Sequence, residues 1–133
     1  MHTTVPNSAS HVDARLRQLA EHVGAYAYRY SDEDQLHGIL AGLLTEAGEC
    51  GFTREYAVDR KNRFDFWFQD EGLVIEVKVK GSLSQALRQI DRYAALPQVK
   101  GILLASTLRW TDIAISSLHG VPVRGIHLPR QCL

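Results

Sequence analysis

Charged side chains interrupt the two most apolar stretches of this chain, which constrains its fold more than any other feature. The first stretch, RFDFWFQ at 63–69, contains Asp65 among aromatic residues. The second, GLVIEVKV at 72–79, contains Glu76 and Lys78 among aliphatic residues. Apolar runs of this length, bounded by turn residues, predict buried strands. Burying a charge without a partner costs free energy. Each of these side chains therefore needs a group of opposite charge or a hydrogen-bond partner close to it in the sheet.

Strand geometry groups the charges together. Side chains two apart project from the same face, so Glu76 and Lys78 share one face while the aliphatic residues between them fill the other. Residues 69–72, with sequence QDEG, predict a hairpin turn, and normal register then puts Asp65 beside Glu76. Two adjacent carboxylates repel unless a cation lies between them, and such oxygen sites suit magnesium or manganese. A nearby amine can hold or deprotonate an attacking water, so the pattern indicates metal-assisted attack on a phosphoryl centre.

The periodicity of the apolar residues predicts the other elements. Residues 1–10 are expected to form a flexible tail, and 25–31 a short strand or a linker. Helices are predicted at 11–23, 83–96 and 110–118. A further helix is predicted between the first two, with its N-cap at Ser31 and its end at Gly48 or Gly51. Strands are predicted at 53–58, 63–69, 72–79, 101–107 and 121–128. This order predicts an α/β sandwich around one mixed sheet.

The amino-acid composition does not indicate which kind of molecule the protein binds. The chain has 133 residues, with 15 Lys and Arg against 15 Asp and Glu, so charge balance neither supports nor excludes nucleic acid. Cys50 and Cys132 lack metal-ligand spacing and are too few for a disulfide framework. No export signal or membrane span is visible in the sequence. We therefore expect a cytoplasmic protein without a membrane partner.

Residues 31–107 resemble the PD-(D/E)XK nuclease superfamily. The resemblance rests on an acid in the helix after Ser31, Asp65 on one strand, and the E-x-K triplet 76–78 on the next, followed by an amphipathic helix and a strand. The run VIEVKVKGS is also similar to the core of Holliday junction resolvases and small phage nucleases. The motif's proline is absent, since Phe64 precedes Asp65, but that position varies in the superfamily.

A second motif extends the resemblance. Gln89 and Tyr93 match the Q-x-x-x-Y pattern of the RecB-like exonuclease branch. Being four apart on a predicted helix, they share a face and are expected to reach the site together.

The resemblance implies a restriction-endonuclease-like core with the order α-β-β-β-α-β and an extra N-terminal helix. It divides a single domain into the tail at 1–10, the first helix and linker at 11–30, and a nuclease domain at 31–133. Asp65, Glu76 and the carbonyl of Val77 would bind Mg²⁺, for which Mn²⁺ substitutes, and Lys78 would handle the water. Glu33 is the preferred helical acid.

Several assignments have alternatives. Glu46 and Glu55 remain candidates for the helical acid, and His37 is interpreted as a surface histidine rather than as an extra ligand. Candidate phosphate contacts are the basic residues near the two central strands, Arg60, Lys61, Arg63 and Lys80.

The predicted function is a metal-dependent deoxyribonuclease with structure-specific or weakly sequence-specific cutting; endonuclease and exonuclease activity both stay open. One rival is an inactive DNA-binding or assembly subunit of the same fold. Another is an unrelated α/β module with a structural ion pair. A homodimer is also considered, with helix 11–23 as an available surface.

Overall fold

A mixed six-stranded sheet flanked by three helices organises the part of the chain that the computed structural model describes, residues 8–112 and 116–131. The helices are α1 (Ser8–Gly24), α2 (Glu33–Glu46) and α3 (Leu83–Ala94). The strands are β1 (Thr53–Ala57), β2 (Arg63–Phe68), β3 (Leu73–Lys78), β4 (Gly101–Ser106), β5 (Ser117–Leu118) and β6 (Val121–His127). The prediction of an α/β fold around a mixed sheet is confirmed. None of these helices is long and apolar enough to cross a membrane.

Strand order in the sheet is β1-β2-β3-β4-β6-β5. The first three strands pair antiparallel, β3, β4 and β6 run parallel, and β5 pairs antiparallel with β6. All of β4 is buried, as expected for a parallel strand covered on both faces.

Each face of the sheet has its own core. One face packs against α1 and α2, and its core includes Leu16, Leu40 and Ile75. The other face packs against α3, and its core includes Ile90 and Val74. Because the apolar stripe of α1 is buried in this first core, a homodimer through this helix would use its exposed polar face.

The parallel strands bring their C-terminal ends to one edge of the sheet, which we call the carboxyl edge. Lys78 at the end of β3 is in register with Ser106 at the end of β4, and Ser106 with His127 at the end of β6. The Ser106 hydroxyl donates to the Lys78 carbonyl at 2.6 Å. Because β2 is antiparallel to β3, its first residue, Arg63, lies at this edge as well.

The predicted N-cap of α2 is wrong by one residue. Asp32 caps the helix, its carboxylate accepting a hydrogen bond from the Gln35 N–H at 2.8 Å. An ionised carboxylate is a stronger acceptor than a hydroxyl. The Ser31 hydroxyl instead donates to the side-chain oxygen of Gln35 at 2.8 Å.

Two other boundaries also differ from the predictions. Helix α1 starts at Ser8, so the tail predicted at 1–10 is wrong for its last three residues, and 1–7 lie outside the described residues. The helix predicted at 110–118 is a 3-10 turn at Arg109–Asp112 followed by β5, with 113–115 outside the described residues. His119 and Gly120 both have positive φ, 51° and 74°, which suits the two-residue hairpin that joins β5 to β6.

Arg15 connects three separate parts of the chain. From α1 its guanidinium donates to the Glu49 carboxylate after α2 (Nη1 to Oε2, 2.7 Å) and to the Glu71 carboxylate in the β2–β3 turn (Nε to Oε2, 2.7 Å). The hydrogen bonds from Arg15 hold the pKa of Glu49 below its ordinary value. The cluster therefore fixes α1 against the hairpin.

We predict that Arg15→Gln lowers the free energy of unfolding at pH 7 by about 1–2 kcal/mol, because hydrogen bonds to charged groups are lost. The folded pKa of Glu49 lies below its ordinary value of 4.5, so its stabilisation is present above pH 4.5 and is lost as the pH falls through the folded pKa. Urea titrations measure the free energy of unfolding, and the difference in this free energy between variant and wild type should become smaller below pH 4.5. Arg17→Gln, an exposed arginine 3.6 Å from Asp13, is the control and should cost under about 0.5 kcal/mol. An equal loss at pH 7 and pH 3 would contradict the prediction.

Candidate active site

The β2–β3 hairpin brings two carboxylates together at the carboxyl edge. The strands pair Phe66 with Ile75, and the next residues along are Asp65 and Glu76. The Asp65 N–H donates to Glu76 Oε1 at 3.4 Å, and the Val77 N–H donates to Asp65 Oδ2 at 2.8 Å. Asp65 thus lies beside Glu76, as the hairpin register predicts.

Strand β2 is irregular at Asp65. Phe64 packs in the core on the α3 side and Phe66 in the core on the other side, although residues two apart normally share a face. Glu55, at the position of β1 opposite Asp65, has a positive φ of 52°. Such irregularities re-aim side chains, and here the Asp65 carboxylate turns toward the Val77 amide.

Burial makes two negative charges unfavourable at this point. Glu76 is 2% exposed, and burial, followed by the charge of Asp65, raises its pKa to about 8. Burial also raises the pKa of Asp65, although the Val77 N–H and nearby positive charges oppose the shift. The Lys78 amine lies 3.4 Å from Glu76 Oε2 and offsets part of the charge. A cation bound between the carboxylates would stabilise their ionised forms.

Helix α2 adds a histidine that the sequence interpretation treated as a surface residue. That interpretation is wrong, since the His37 side chain is only 7% exposed. Its Nε2 lies 3.6 Å from Glu33 Oε1 and 3.9 Å from Asp65 Oδ2, and it has no hydrogen-bond partner. The four-residue spacing from Glu33 was the available signal, because it aligns the two side chains on one helix face.

Of the three candidate helical acids, Glu33 is the one that the fold brings toward Asp65. Its negative charge contributes to raising the pKa of Asp65. Glu46 is exposed at the other end of α2, about 20 Å along the helix axis. Glu55 is paired with Arg63 at 3.2 Å on the outer strand β1.

The two motif residues of α3 contact the β2 backbone rather than a carboxylate. The Gln89 amide donates to the Tyr93 hydroxyl at 2.9 Å, which donates to the Arg63 carbonyl at 2.6 Å. Tyr93 is buried, with its ring 4.8 Å from that of Phe64 in an edge-to-face arrangement. Burial, then the charge of Glu76, raises the pKa of Tyr93. The pair holds β2 two residues before Asp65.

The four predicted phosphate contacts are exposed. Arg60 and Lys61 lie in the turn before β2, where the Lys61 N–H donates to Asp59. Arg63 begins β2 and Lys80 follows β3, so both lie near the carboxyl edge. Arg63 is paired with Glu55, so a phosphate would have to compete with that carboxylate.

The donors present fit a hard divalent cation. These donors are the two carboxylates, whose pKa values are raised and whose oxygens are the ligands that such a cation prefers. The His37 nitrogen, which has no hydrogen-bond partner, is a softer donor. With side chains as they stand, the described ranges contain no group of three or more His, Cys, Asp or Glu residues arranged to hold a metal ion.

Comparisons with protein-family models, with curated proteins and with solved structures each gave no match to this chain.

We predict that His37→Leu stabilises the protein in EDTA by about 1 kcal/mol. An unpaired buried polar atom costs about 1–3 kcal/mol, and leucine removes it at a similar volume. Chemical denaturation measures the change. His37→Gln, which keeps a polar group in the same place, is the control and should bring no gain. Destabilisation by leucine, with glutamine tolerated, would show that Nε2 has a stabilising partner and would contradict the prediction.

Proposed function

We propose that this protein is a metal-dependent deoxyribonuclease with a restriction-endonuclease-like core, which hydrolyses DNA phosphodiester bonds. The observation that carries the proposal is the convergence of Asp65, Glu76 and Lys78 at one end of a buried hairpin, with Glu33 on the adjacent helix. A fold without a functional need for these charges would gain stability by replacing them with apolar residues.

In this proposal Asp65, Glu76, the Val77 carbonyl and Glu33 hold magnesium, for which manganese substitutes. When bound, the metal stabilises charge on the phosphate oxygens and lowers the pKa of the attacking water. His37 offers a nitrogen donor beside Glu33 and Asp65, to neither of which it is hydrogen-bonded.

Lys78 is suited to act on the attacking water or on the phosphate. Its side chain is 23% exposed, whereas that of Glu76 is 3% exposed, so the amine reaches solvent while the carboxylate stays buried. The 3.4 Å contact with Glu76 holds the amine beside the two carboxylates. Gln89 and Tyr93 are positioning residues in this scheme, since they hold the β2 backbone next to Asp65.

The Lys78–Glu76 contact also favours one rival, a structural ion pair in an unrelated α/β module. That rival predicts no change in melting temperature when magnesium is added, because no metal binds to the folded state. The other rival, an inactive DNA-binding or assembly subunit, predicts DNA binding without cleavage.

We predict that Asp65→Asn and Glu76→Gln each reduce cleavage at least about 100-fold and weaken magnesium binding about 10–100-fold while the fold persists. Glu33→Gln should reduce cleavage about tenfold. Labelled linear duplex, single-stranded, circular and four-way junction DNA are incubated with magnesium or manganese, and calorimetry measures metal binding. Glu46→Gln, on the far end of α2, is the matched control and should be unaffected.

Variants of Asp65 and Glu76 that bind magnesium and cleave like wild type would overturn the metal assignment. Circles that resist cutting while linear DNA shortens would identify an exonuclease.

We predict that Lys78→Met separates catalysis from binding. Methionine keeps most of the aliphatic stem but removes the charge, so DNA binding in calcium should weaken only a few fold while cleavage in magnesium falls about 100-fold or more. Filter binding and single-turnover cleavage on one substrate give the two values. Lys100→Met, an exposed lysine at the opposite end of the sheet before β4, is the control. Equal losses of binding and cleavage would make Lys78 a phosphate anchor, and no loss of either would remove the main support for the nuclease.

A further inference from the structure

Arg29 and Arg130 are exposed near the carboxyl edge, and neither has an acidic partner within ion-pair distance among the described residues. By contrast, Arg15 is paired with two glutamates and Arg124 with Asp13. We infer that Arg29 and Arg130 bind backbone phosphates of the DNA strand that passes through the active site. The inference rests on the proposed nuclease function and adds a contact surface to it.

Backbone hydrogen bonds hold the two arginines on adjacent extended segments. The Tyr28 N–H donates to the Pro129 carbonyl at 2.7 Å, and the Gln131 N–H donates to the Tyr28 carbonyl at 2.7 Å. Tyr28 and Arg130 form a parallel bridge. Since 128–131 follow directly from β6, which ends at the carboxyl edge, Arg29 and Arg130 belong to this end of the sheet.

A short series of contacts connects this surface to Lys78. The Ser106 hydroxyl donates to the Lys78 carbonyl, and a 2.8 Å hydrogen bond joins the next residue, Thr107, through Oγ1 to Tyr30 Oη. Strands lie about 4.8 Å apart, so β6 is about 10 Å from β3 across the sheet. One DNA strand rises about 3.4 Å per nucleotide, so the spacing between the ends of β3 and β6 corresponds to about three nucleotides. Arg130 lies three residues beyond the end of β6.

The Arg130 guanidinium lies against an aromatic ring. Its guanidinium carbon lies 4.3 Å from the centroid of the Tyr30 ring, which is 5% exposed and fixed by its hydroxyl. A stacked guanidinium loses less conformational freedom on binding, and its planar donors match two phosphate oxygens.

Arg29 borders an open recess of about 260 Å³ that is also lined by Tyr30, Ser31 and Gln35. The nearest acids along the chain, Asp32 and Asp34, form no ion pair with it, and Asp32 is engaged as the N-cap of α2. The recess therefore presents the Arg29 guanidinium to an incoming phosphate, whereas the Ser31 hydroxyl already donates to Gln35.

The test measures binding of wild type and of Arg29→Gln/Arg130→Gln to a labelled 20-base-pair duplex in calcium, between 50 and 200 mM salt. Each phosphate contact contributes about 0.9 to the slope of log K against log salt, so loss of two contacts should reduce the slope by about 1.8. Arg88→Gln/Arg92→Gln removes the same charge from exposed positions on α3 and should leave the slope unchanged. Circular dichroism checks that both variants are folded.

The outcomes separate this inference from the proposed function. If wild type binds DNA and the Arg29/Arg130 variant keeps the wild-type slope, the inference is wrong while the nuclease proposal stands. If the α3 variant lowers the slope by the same amount, diffuse positive charge explains binding and the inference is overturned. If wild type binds no DNA with calcium, magnesium or manganese present, the nuclease proposal fails and the inference fails with it.

Discussion

The contact between Asp65 and Glu76 is the constraint on which the carboxyl edge depends. It places two acids side by side in a largely buried position, where desolvation favours their neutral forms. Two nearby groups stabilise the ionised forms: the Val77 N–H donates to Asp65, and the Lys78 amine lies near Glu76. These contacts oppose the burial effect without cancelling it, since both carboxyl groups keep a raised pKa.

Elements around the pair act as a rigid support. Helix α3 holds the first residue of β2 through the Tyr93 hydroxyl, and helix α2 brings Glu33 and His37 from the opposite face of the sheet. The acids thus lie between two helices whose apolar stripes are anchored in separate cores. Side chains presented by packed helices and strands are positioned more accurately than those on free loops.

The sequence predicted the parts of this arrangement that follow from strand and helix periodicity. Alternation in β3 was sufficient to group Glu76 with Lys78, and the hairpin turn was sufficient to align Asp65 with them. His37 was misjudged because a polar residue beside a helix stripe looks the same whether it meets solvent or a neighbouring strand. Three other features depend on tertiary contacts that the local sequence pattern does not encode. They are the irregularity of β2 at Asp65, the N-cap of α2 at Asp32 and the β5–β6 hairpin.

The short loop between β2 and β3 has a consequence for the order of folding. Asp65 and Glu76 are 11 residues apart in sequence, whereas the contact between Arg124 and Asp13 spans 111. Local contacts close at a smaller entropic cost and tend to form earlier than distant ones. We therefore expect the chain to bring its two acids together before α1 and β6 dock, while water still surrounds them. The later docking steps would then remove this water, so the two carboxyl groups would oppose the final stage of folding.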